Sequence, residues 1–155
     1  MTGPVRVRRA VEADVEAAAP LFAAYRVFYG RPHDLAAAAG FLRERIGRGE
    51  SVVLLGEVDG LGTVGFAQLY PTFESIDVAR LWVLNDLFVD PVARAHGVGT
   101  ALLQEVEASA RAAGVPSLAL QTAHDNVAAQ RLYERAGWVL DTTYRTYQKA
   151  LPASR

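Results

Sequence analysis

Hydrophobic and polar residues follow two different periods along this chain. Alternation with a period of two and short apolar runs are typical of strands, and they predict strands at residues 5–9, 51–58, 63–70, 80–89, 117–122, 138–140 and 143–151. Segments of helical character predict helices at residues 12–29, 34–47, 99–114 and 126–137. Pro20 is expected to kink or restart the first helix. Hairpins followed by alternating strands and helices indicate a mixed α/β fold, α+β in stricter usage, with helices on the faces of a sheet.

Composition narrows the class of protein. A chain of 155 residues suits a single domain over residues 1–155. Its net charge of -1 gives no reason to expect a nucleic-acid or acidic-membrane partner, and no apolar run is long enough to span a bilayer. The chain has no cysteine, which excludes disulfides, thiolate-bound metals and an acyl-cysteine intermediate. The opening segment MTGPVRVRRA lacks the apolar core of a secretory signal, so we expect a cytoplasmic protein.

A glycine-rich turn, Arg94-Ala95-His96-Gly97-Val98-Gly99, leads from the strand at 80–89 into the helix at 99–114. The first amides of a helix have no intrahelical acceptor and lie at the positive end of its dipole, so they attract an anion such as a phosphate. Gly97 and Gly99 leave room for close approach, and Arg94 can add a charged fork. The alternative is that the glycines serve the turn alone.

Two common nucleotide motifs fit this turn poorly. A Walker P-loop requires a lysine after its last glycine, and Gly99 is followed by Thr100 and Ala101. A dinucleotide fingerprint occurs early in its fold, with an acidic residue about 20 positions later. This turn instead follows at least three predicted strands, and Gln121 and Thr122 occupy the expected acidic region. An unrelated nucleotide-binding α/β protein is therefore a minor alternative.

The turn and a second block together resemble the GNAT superfamily of N-acetyltransferases. Its acyl-CoA loop has the form Q/R-x-x-G-x-G/A, which Arg94, Gly97 and Gly99 match, and its next block, N-x-x-A-x-x-L/F-Y-x-x-x-G-F/W, is similar to residues 126–138. The resemblance is close from residue 80 to 140 and looser before it. It implies the GNAT acyl-CoA N-acyltransferase fold, a central mixed, mostly antiparallel sheet flanked by helices. The family's sheet is splayed between strands 4 and 5, and strand 4 carries a bulge.

The resemblance also implies acetyl-CoA as the cosubstrate. Backbone groups of Leu87, Phe88 and Val89 are expected to pair with the pantetheine arm and the acetyl carbonyl. The pyrophosphate is expected at the turn, on Arg94 and on the amides of His96, Gly97, Val98, Gly99 and Thr100. Asn126 is expected near the pantetheine arm, although a helix cap explains this residue equally well.

Tyr133 and Asp86 are the candidate catalytic residues. Amine attack on a thioester expels a thiolate, and the phenol of Tyr133, which matches the tyrosine of the second block, can protonate or hydrogen-bond it. Packing in the core is the alternative for Tyr133. Asn85 and Asp86 interrupt an apolar strand, so Asp86 is either a base, acting directly or through water, or a structural carboxylate near the bulge. Polyamine acetyltransferases of the family carry Glu where this chain has Asn85, which weakens a transfer of their base and their substrate.

The sequence says less about the part of the site that binds the acceptor. Four residues are candidates for substrate binding: Tyr25, Tyr29, Glu74 and Asn85. For the aromatic residues, ordinary core packing is the alternative, and for Glu74 it is an exposed loop position. The three histidines have no metal-ligand spacing, so no metal is expected: these are His33, His96 and His124.

These inferences predict an N-acetyltransferase that moves an acetyl group from acetyl-CoA to the primary amine of a small molecule. The amine attacks directly in a ternary complex. A non-catalytic acyl-CoA-binding sensor domain and a protein N-acetyltransferase are the alternatives. The alternating segment 143–151 could pair across a homodimer. No nucleic acid, membrane or metal is expected to take part.

Overall fold

A five-stranded sheet forms the centre of the computed structural model, which describes residues 3–154. Its strands are β1 (Val5–Arg9), β2 (Val52–Val58), β3 (Gly62–Glu74), β4 (Ala79–Val89) and β5 (Ser117–Leu120). The strands lie side by side in chain order. The first four pair as antiparallel neighbours, and β5 runs parallel to β4. The mixed, mostly antiparallel sheet predicted from the sequence is therefore confirmed.

Helices cover both faces of this sheet. They are α1 (Val15–Phe28), α2 (Leu35–Gly47), α3 (Val98–Ala112) and α4 (Val127–Arg135), and 3-10 turns at Glu12–Asp14 and Pro91–Ala93 precede α1 and α3. α1 and α2 pack over a core centred on Phe66, whereas α3 and α4 pack over the opposite face around Leu102. Pro20 lies inside α1, which continues through it as one helix, so the expected restart is wrong. Within residues 3–154, no helix has the length and apolar character that crossing a bilayer requires.

A bulge in β4 separates this strand from β5. Gln68 of β3 pairs with Asp86, and the next residue, Leu69, pairs with Leu84, so Asn85 is the extra residue. β4 pairs with β5 only as far as Leu84. Beyond the bulge, the two parallel strands diverge and leave one edge of β4 open. The splay expected between strands 4 and 5 is therefore confirmed.

The two strands predicted after α4 are wrong. Residues 138–140 and 143–151 form no strand, and apart from the half-buried Trp138 their large apolar side chains are exposed: Val139, Leu140, Tyr144, Tyr147 and Leu151. Alternation gives a segment an apolar face, but a strand also requires a neighbour for its backbone groups. This segment pairs with no strand within residues 3–154. A hydrogen bond from Gln121 Nε2 to Thr146 Oγ1 (3.2 Å) connects it to the end of β5.

Candidate active site

The gap between β4 and β5 opens into a cavity of about 360 Å³. Its walls come from α1, β4, the start of α3 and α4. Most of the residues predicted for the site line it: Tyr25, Tyr29, Asn85, Leu87, Phe88, Val89, Arg94, Gly99, Asn126 and Tyr133. The remaining predicted residues are outside this lining: His96, Gly97, Val98 and Thr100 in the adjoining turn, Asp86 behind the wall, and Glu74 at the end of β3.

The open edge of β4 presents the backbone groups of two residues. The amide of Asp90 donates to the carbonyl of Val64 at 2.7 Å. Because ladder bonds between antiparallel strands fall on alternate residues, Phe88 also turns its backbone groups toward β3. Leu87 and Val89 therefore turn theirs into the gap. Phe88 also lines the cavity, but its backbone groups are turned away from the gap.

The glycine-rich turn is bent by two residues with left-handed backbone. Gly97, the N-cap of α3, has φ of 79°, and Ala95 has φ of 71°. This conformation costs an L-residue roughly 1–2 kcal/mol, so it favours glycine at position 97, whereas Ala95 bears the cost. The amides from Val98 to Thr100 then have no intrahelical acceptor. They lie beside the cavity, which Gly99 lines.

Arg94 lies at the mouth of the cavity. Its Nε donates to the carbonyl of Val89 at 3.3 Å, and the ring Nδ1 of His96 lies 3.3 Å from the Arg94 carbonyl. Among the described residues, the two terminal nitrogens of the guanidinium have no hydrogen-bond partner. The helix start and this cation together form a site suited to a phosphate group.

Two glycines of the sheet position the start of α3. A Cβ on Gly56 or Gly65 would lie 2.8 Å from Cγ1 of Val98, which is a forbidden distance. The two glycines pair across β2 and β3, so they form a hollow that admits the first turn of the helix. The side chain of Val98 is consequently buried, and only its backbone is available at the turn.

Gly99 and Asn126 lie where α3 approaches α4. A Cβ on Gly99 would come within 3.2 Å of Cδ2 of Leu132, so this position favours the smallest residue. Oδ1 of Asn126 accepts a hydrogen bond from the Ala129 amide at 3.2 Å, and thereby caps α4. The same residue lines the cavity, so the cap and a ligand contact are compatible.

Tyr133 extends from α4 into the cavity wall. Its ring packs near Trp138, with centroids 6.1 Å apart. Burial raises the pKa of Tyr133 to about 12, and the nearby Tyr29 phenol adds to the effect. The phenol therefore keeps its proton at neutral pH and is a hydrogen-bond donor in the cavity.

Asp86 is a buried carboxylate held by amide groups. Gln68 Nε2 donates to Oδ2 at 2.7 Å, and Asn85 Nδ2 donates to Oδ1 at 3.1 Å. Burial raises the pKa of Asp86, and the hydrogen bonds from Gln68 and Asn85, together with the neighbouring Tyr25 hydroxyl, partly offset that effect. A carboxylate with a raised pKa beside a cavity is suited to accepting a proton.

Tyr25 reaches from the cavity to the bulge beside Asp86. Its ring lines the cavity, and its hydroxyl donates to the carbonyl of the bulged Asn85 at 3.4 Å. Burial, together with the Asp86 charge, raises the pKa of Tyr25 above its ordinary value. On the same face, burial and Asp86 raise the pKa of Tyr70 to about 12, whereas Arg45 lowers it. Phenols and amides thus surround one carboxylate.

Glu74 does not join this group. β3 continues past residue 70, where a loop was expected, and Glu74 pairs with Ala79 at its far end. At roughly 3.3 Å per residue, Glu74 lies about 20 Å along the strand from Gln68. Its carboxylate accepts from the Ile76 amide at 3.3 Å and so supports the hairpin.

Several residues of the site were not predicted from the sequence. Gln68 is fully buried and bonded to Asp86. Its signal was the one that marked Asp86, a polar residue inside an apolar strand. Gly56 and Gly65 were also detectable, because a glycine within a strand often marks a close approach of another element. Within residues 3–154, no group of three histidine or carboxylate side chains is placed to hold a metal ion.

Comparison with known proteins places this arrangement in context. The model of the acetyltransferase (GNAT) family matches residues 16–138. The chain is 44% identical over 149 residues to the uncharacterized N-acetyltransferase YhfO of Bacillus subtilis (strain 168), which covers 96% of this chain and 99% of that protein. A crystal structure of a probable acetyltransferase superposes with a TM-score of 0.88 at 35% identity, over 96% of this chain and 99% of the other.

A more distant relative has a named acceptor. The chain is 35% identical over 78 residues to the D-amino-acid N-acetyltransferase HPA3 of Saccharomyces cerevisiae (strain ATCC 204508 / S288c). The match covers 50% of this chain and 48% of that protein.

Proposed function

Since the chain belongs to the GNAT family of acetyltransferases and is an acyltransferase enzyme, we propose that it transfers the acetyl group of acetyl-CoA to the primary amine of a small molecule. The amine attacks directly in a ternary complex. The observation that carries the proposal is the cavity between β4 and β5. It brings the open edge of β4, the Tyr133 phenol and a route to Asp86 together.

The residues present fit acetyl-CoA as the cosubstrate. The free amides from Val98 to Thr100 and the Arg94 guanidinium suit its pyrophosphate. The backbone groups of Leu87 and Val89 are turned into the gap, where they can pair with the pantetheine arm and orient the acetyl carbonyl. Bound acetyl-CoA supplies an activated acetyl group, and these residues hold it against the acceptor.

Asp86 is the proposed base, acting through Tyr25. An alkylammonium must lose one proton before its nitrogen can attack. In this proposed step the Tyr25 hydroxyl turns from the Asn85 carbonyl to the Asp86 carboxylate, passes its own proton there and receives the ammonium proton from the cavity side. The amine nitrogen then bonds to the acetyl carbon as the carbon–sulfur bond breaks. The second nitrogen proton leaves the amide and balances the thiolate, so the products are an amide, a thiol and one proton released to solvent.

Tyr133 is proposed to stabilise the departing thiolate. A thiol has an ordinary pKa of about 8.5, well below the pKa of about 12 of the Tyr133 phenol. The thiolate is therefore too weak a base to remove the phenolic proton, and the phenol stabilises it by a hydrogen bond. The chain contains no cysteine, which favours direct attack over an acyl-cysteine route.

Release of CoA from acetyl-CoA across a panel of amines tests this proposal. The panel contains small primary amines, amino acids of both hands, an aminoglycoside, spermidine and peptides with free N-termini. Turnover with a small amine supports the proposal, whereas turnover with peptides alone would assign a protein N-acetyltransferase. Binding of acetyl-CoA without turnover on any acceptor would assign a sensor domain.

A homodimer is part of the same proposal. β5 pairs with β4 on one side only within residues 3–154. The segment 138–154, which Gln121 bonds to the end of β5, exposes apolar side chains such as Tyr144, Tyr147 and Leu151. If this segment added to the β5 edge of a second copy, the edge would gain hydrogen-bond partners and the apolar side chains would be covered. The proposal also assigns the enzyme to the cytoplasm, where we expect its thioester cosubstrate.

A further inference from the structure

The two ends of the cavity differ in chemistry. One end is formed by the open edge of β4 and the starts of α3 and α4, which the proposed function assigns to acetyl-CoA. The other end is formed by the last turn of α1. That turn places three aromatic residues on the wall, Tyr25, Phe28 and Tyr29.

The aromatic wall is a built surface rather than a collection of loose side chains. Tyr29 packs edge-on against Tyr25 at 5.0 Å and against Phe28 at 5.2 Å between centroids. Tyr25 is in turn supported from below by Phe66 at 5.8 Å and Phe88 at 6.2 Å. Nevertheless Phe28 is 60% exposed and Tyr29 is 45% exposed. Ring surface that is fixed in place yet exposed at a cavity favours an apolar or aromatic ligand.

Charge limits what else this ligand carries. Within the described part of the chain, Arg94 is the one charged residue that lines the cavity, and it belongs to the proposed phosphate end. A second ammonium group on the acceptor would meet no carboxylate in the lining. A carboxylate on the acceptor would meet no cation apart from Arg94. Burying an unpaired charge is costly, so both features are selected against.

One buried carboxylate matches one ammonium group. Asp86 lies behind the wall, where it accepts a hydrogen bond from the side chain of the cavity-lining Asn85. The hydroxyl of Tyr25 donates to the carbonyl of the same Asn85. The ring faces of Tyr25 and Tyr29 add the attraction that aromatic rings have for a cation. We propose that the acceptor is a primary monoamine with an uncharged aromatic or bulky apolar body. This inference rests on the proposed function and names its substrate class.

Matched amines separate the effect of the aromatic body of the acceptor from the effects of a carboxylate and of further cations. 2-Phenylethylamine and phenylalanine differ by one carboxylate, and spermidine replaces the ring with further cations. We expect kcat/KM for 2-phenylethylamine to exceed that for either hand of phenylalanine, and that for spermidine, by at least about tenfold. Equal or faster turnover of spermidine or phenylalanine would overturn the inference.

A variant of the wall tests the site itself. Tyr29→Ala should raise the KM for 2-phenylethylamine roughly fivefold and leave the KM for acetyl-CoA unchanged. The matched control is Phe73→Ala, which removes a 78% exposed ring from the far end of β3. An unchanged amine KM in Tyr29→Ala would contradict the proposed placement.

Binding of the amine, measured without turnover, keeps the two proposals separable. Saturation-transfer NMR of 2-phenylethylamine with the protein and CoA should detect binding that Tyr29→Ala weakens and Phe73→Ala preserves. If acetyl-CoA binds and no amine releases CoA, the proposed transfer fails, and this binding experiment alone decides the ligand class. Absence of 2-phenylethylamine binding would then overturn the inference.

Discussion

The side-chain amide of Gln68 donates a 2.7 Å hydrogen bond to the carboxylate of Asp86 across β3 and β4. Gln68 is fully buried, and Asp86 is 5% exposed. The pair lies at the register shift created by Asn85, next to the cavity wall. Burying a carboxylate inside a sheet is costly even when amide groups bond it, and we link its presence beside the cavity to the proposed proton transfer.

Gln68→Met should shift the pH dependence of turnover. The Gln68 hydrogen bond favours the charged carboxylate and lowers the pKa of Asp86. Methionine removes that donor while keeping similar volume, so the acid limb of kcat should move to higher pH. Gln104→Met on the exposed face of α3 is the control. An acid limb that stays at the same pH would show that Gln68 does not affect the pKa of the group that accepts the proton. Tyr25, Asn85 and Tyr70 also face Asp86, and all three are retained in the variant.

Asp86→Asn should lower activity and raise stability. The raised pKa of Asp86 means that its contribution to stability is present at acid pH and lost as pH rises through the folded-state pKa. The variant should therefore gain about 1 kcal/mol in free energy of unfolding at pH 8, and less near pH 4. Its kcat should fall by about 100-fold or more.

Urea unfolding at both pH values, together with steady-state kinetics, measures these effects of Asp86→Asn. Asp77→Asn, at an exposed position of the β3–β4 hairpin, should change neither quantity. Gln68 Oε1 has no partner among the described residues, so it can accept a bond from the new amide. Destabilisation by more than about 1 kcal/mol at both pH values would instead identify a structural carboxylate.

The glycine-rich turn and the position of Tyr133 on a helix could be predicted from the sequence, although the role of Tyr133 came from the resemblance of residues 126–138 to the GNAT block. Gly97 caps α3 and Gly99 lies in its first turn, and Tyr133 lies seven residues after the cap of α4, so no long-range contact is needed to place them in these elements. Gln68 is different, because its partner depends on the β3–β4 register and on the bulge. The length of β3 also depends on its pairing with β4. The sequence pattern ended this strand at residue 70, so Glu74 was predicted on a loop near the acceptor site, whereas it pairs with Ala79.

At the end of the chain, too, the sequence pattern does not determine which strands pair. The alternation in residues 143–151 describes a face, and it predicts a strand wherever a partner is present. Within residues 3–154 no partner strand is available to it. Periodicity therefore located the strands that pair inside the chain and could not establish whether the terminal segment pairs.

Gly65→Ala should weaken binding of acetyl-CoA. The new Cβ would lie 2.8 Å from Val98 Cγ1 and 3.2 Å from the carbonyl oxygen of Phe88, which is fixed in the ladder. The start of α3 must then move, at a cost of about 1–3 kcal/mol in stability. We expect at least about a tenfold loss of affinity by calorimetry, because the helix start carries the proposed phosphate contacts.

A second glycine provides the control for Gly65→Ala. Gly40 lies inside α2, where a Cβ would meet nothing within 4 Å. Gly40→Ala should stabilise the protein by about 0.5–1 kcal/mol and leave affinity unchanged. If Gly65→Ala binds acetyl-CoA normally, the hollow under Val98 is not what positions the turn.

Tyr133→Phe should reduce kcat by about 100-fold and leave the affinity for acetyl-CoA nearly unchanged. Only the hydroxyl is lost, and its proposed role begins when the thiolate departs. Because the pKa of Tyr133 is about 12, the wild-type rate should show no alkaline decline attributable to this residue below about pH 11. Tyr144→Phe, at an exposed position, is the control. Unaltered turnover in Tyr133→Phe would assign this ring to packing beside Trp138.

Removal of residues 142–155 should convert a dimer into a monomer. The deleted segment exposes Tyr144, Tyr147 and Leu151, and its proposed position is against β5 of a second copy. Light scattering after size-exclusion chromatography measures the mass of each form.

A milder variant, Tyr147→Glu, puts a charge into the proposed interface and should weaken the dimer without shortening the chain. The control Lys149→Glu changes the charge of the same segment without removing an apolar side chain. A full-length protein that is monomeric at micromolar concentration would reject strand exchange. A dimer that survives both the deletion and Tyr147→Glu would place the interface on another surface.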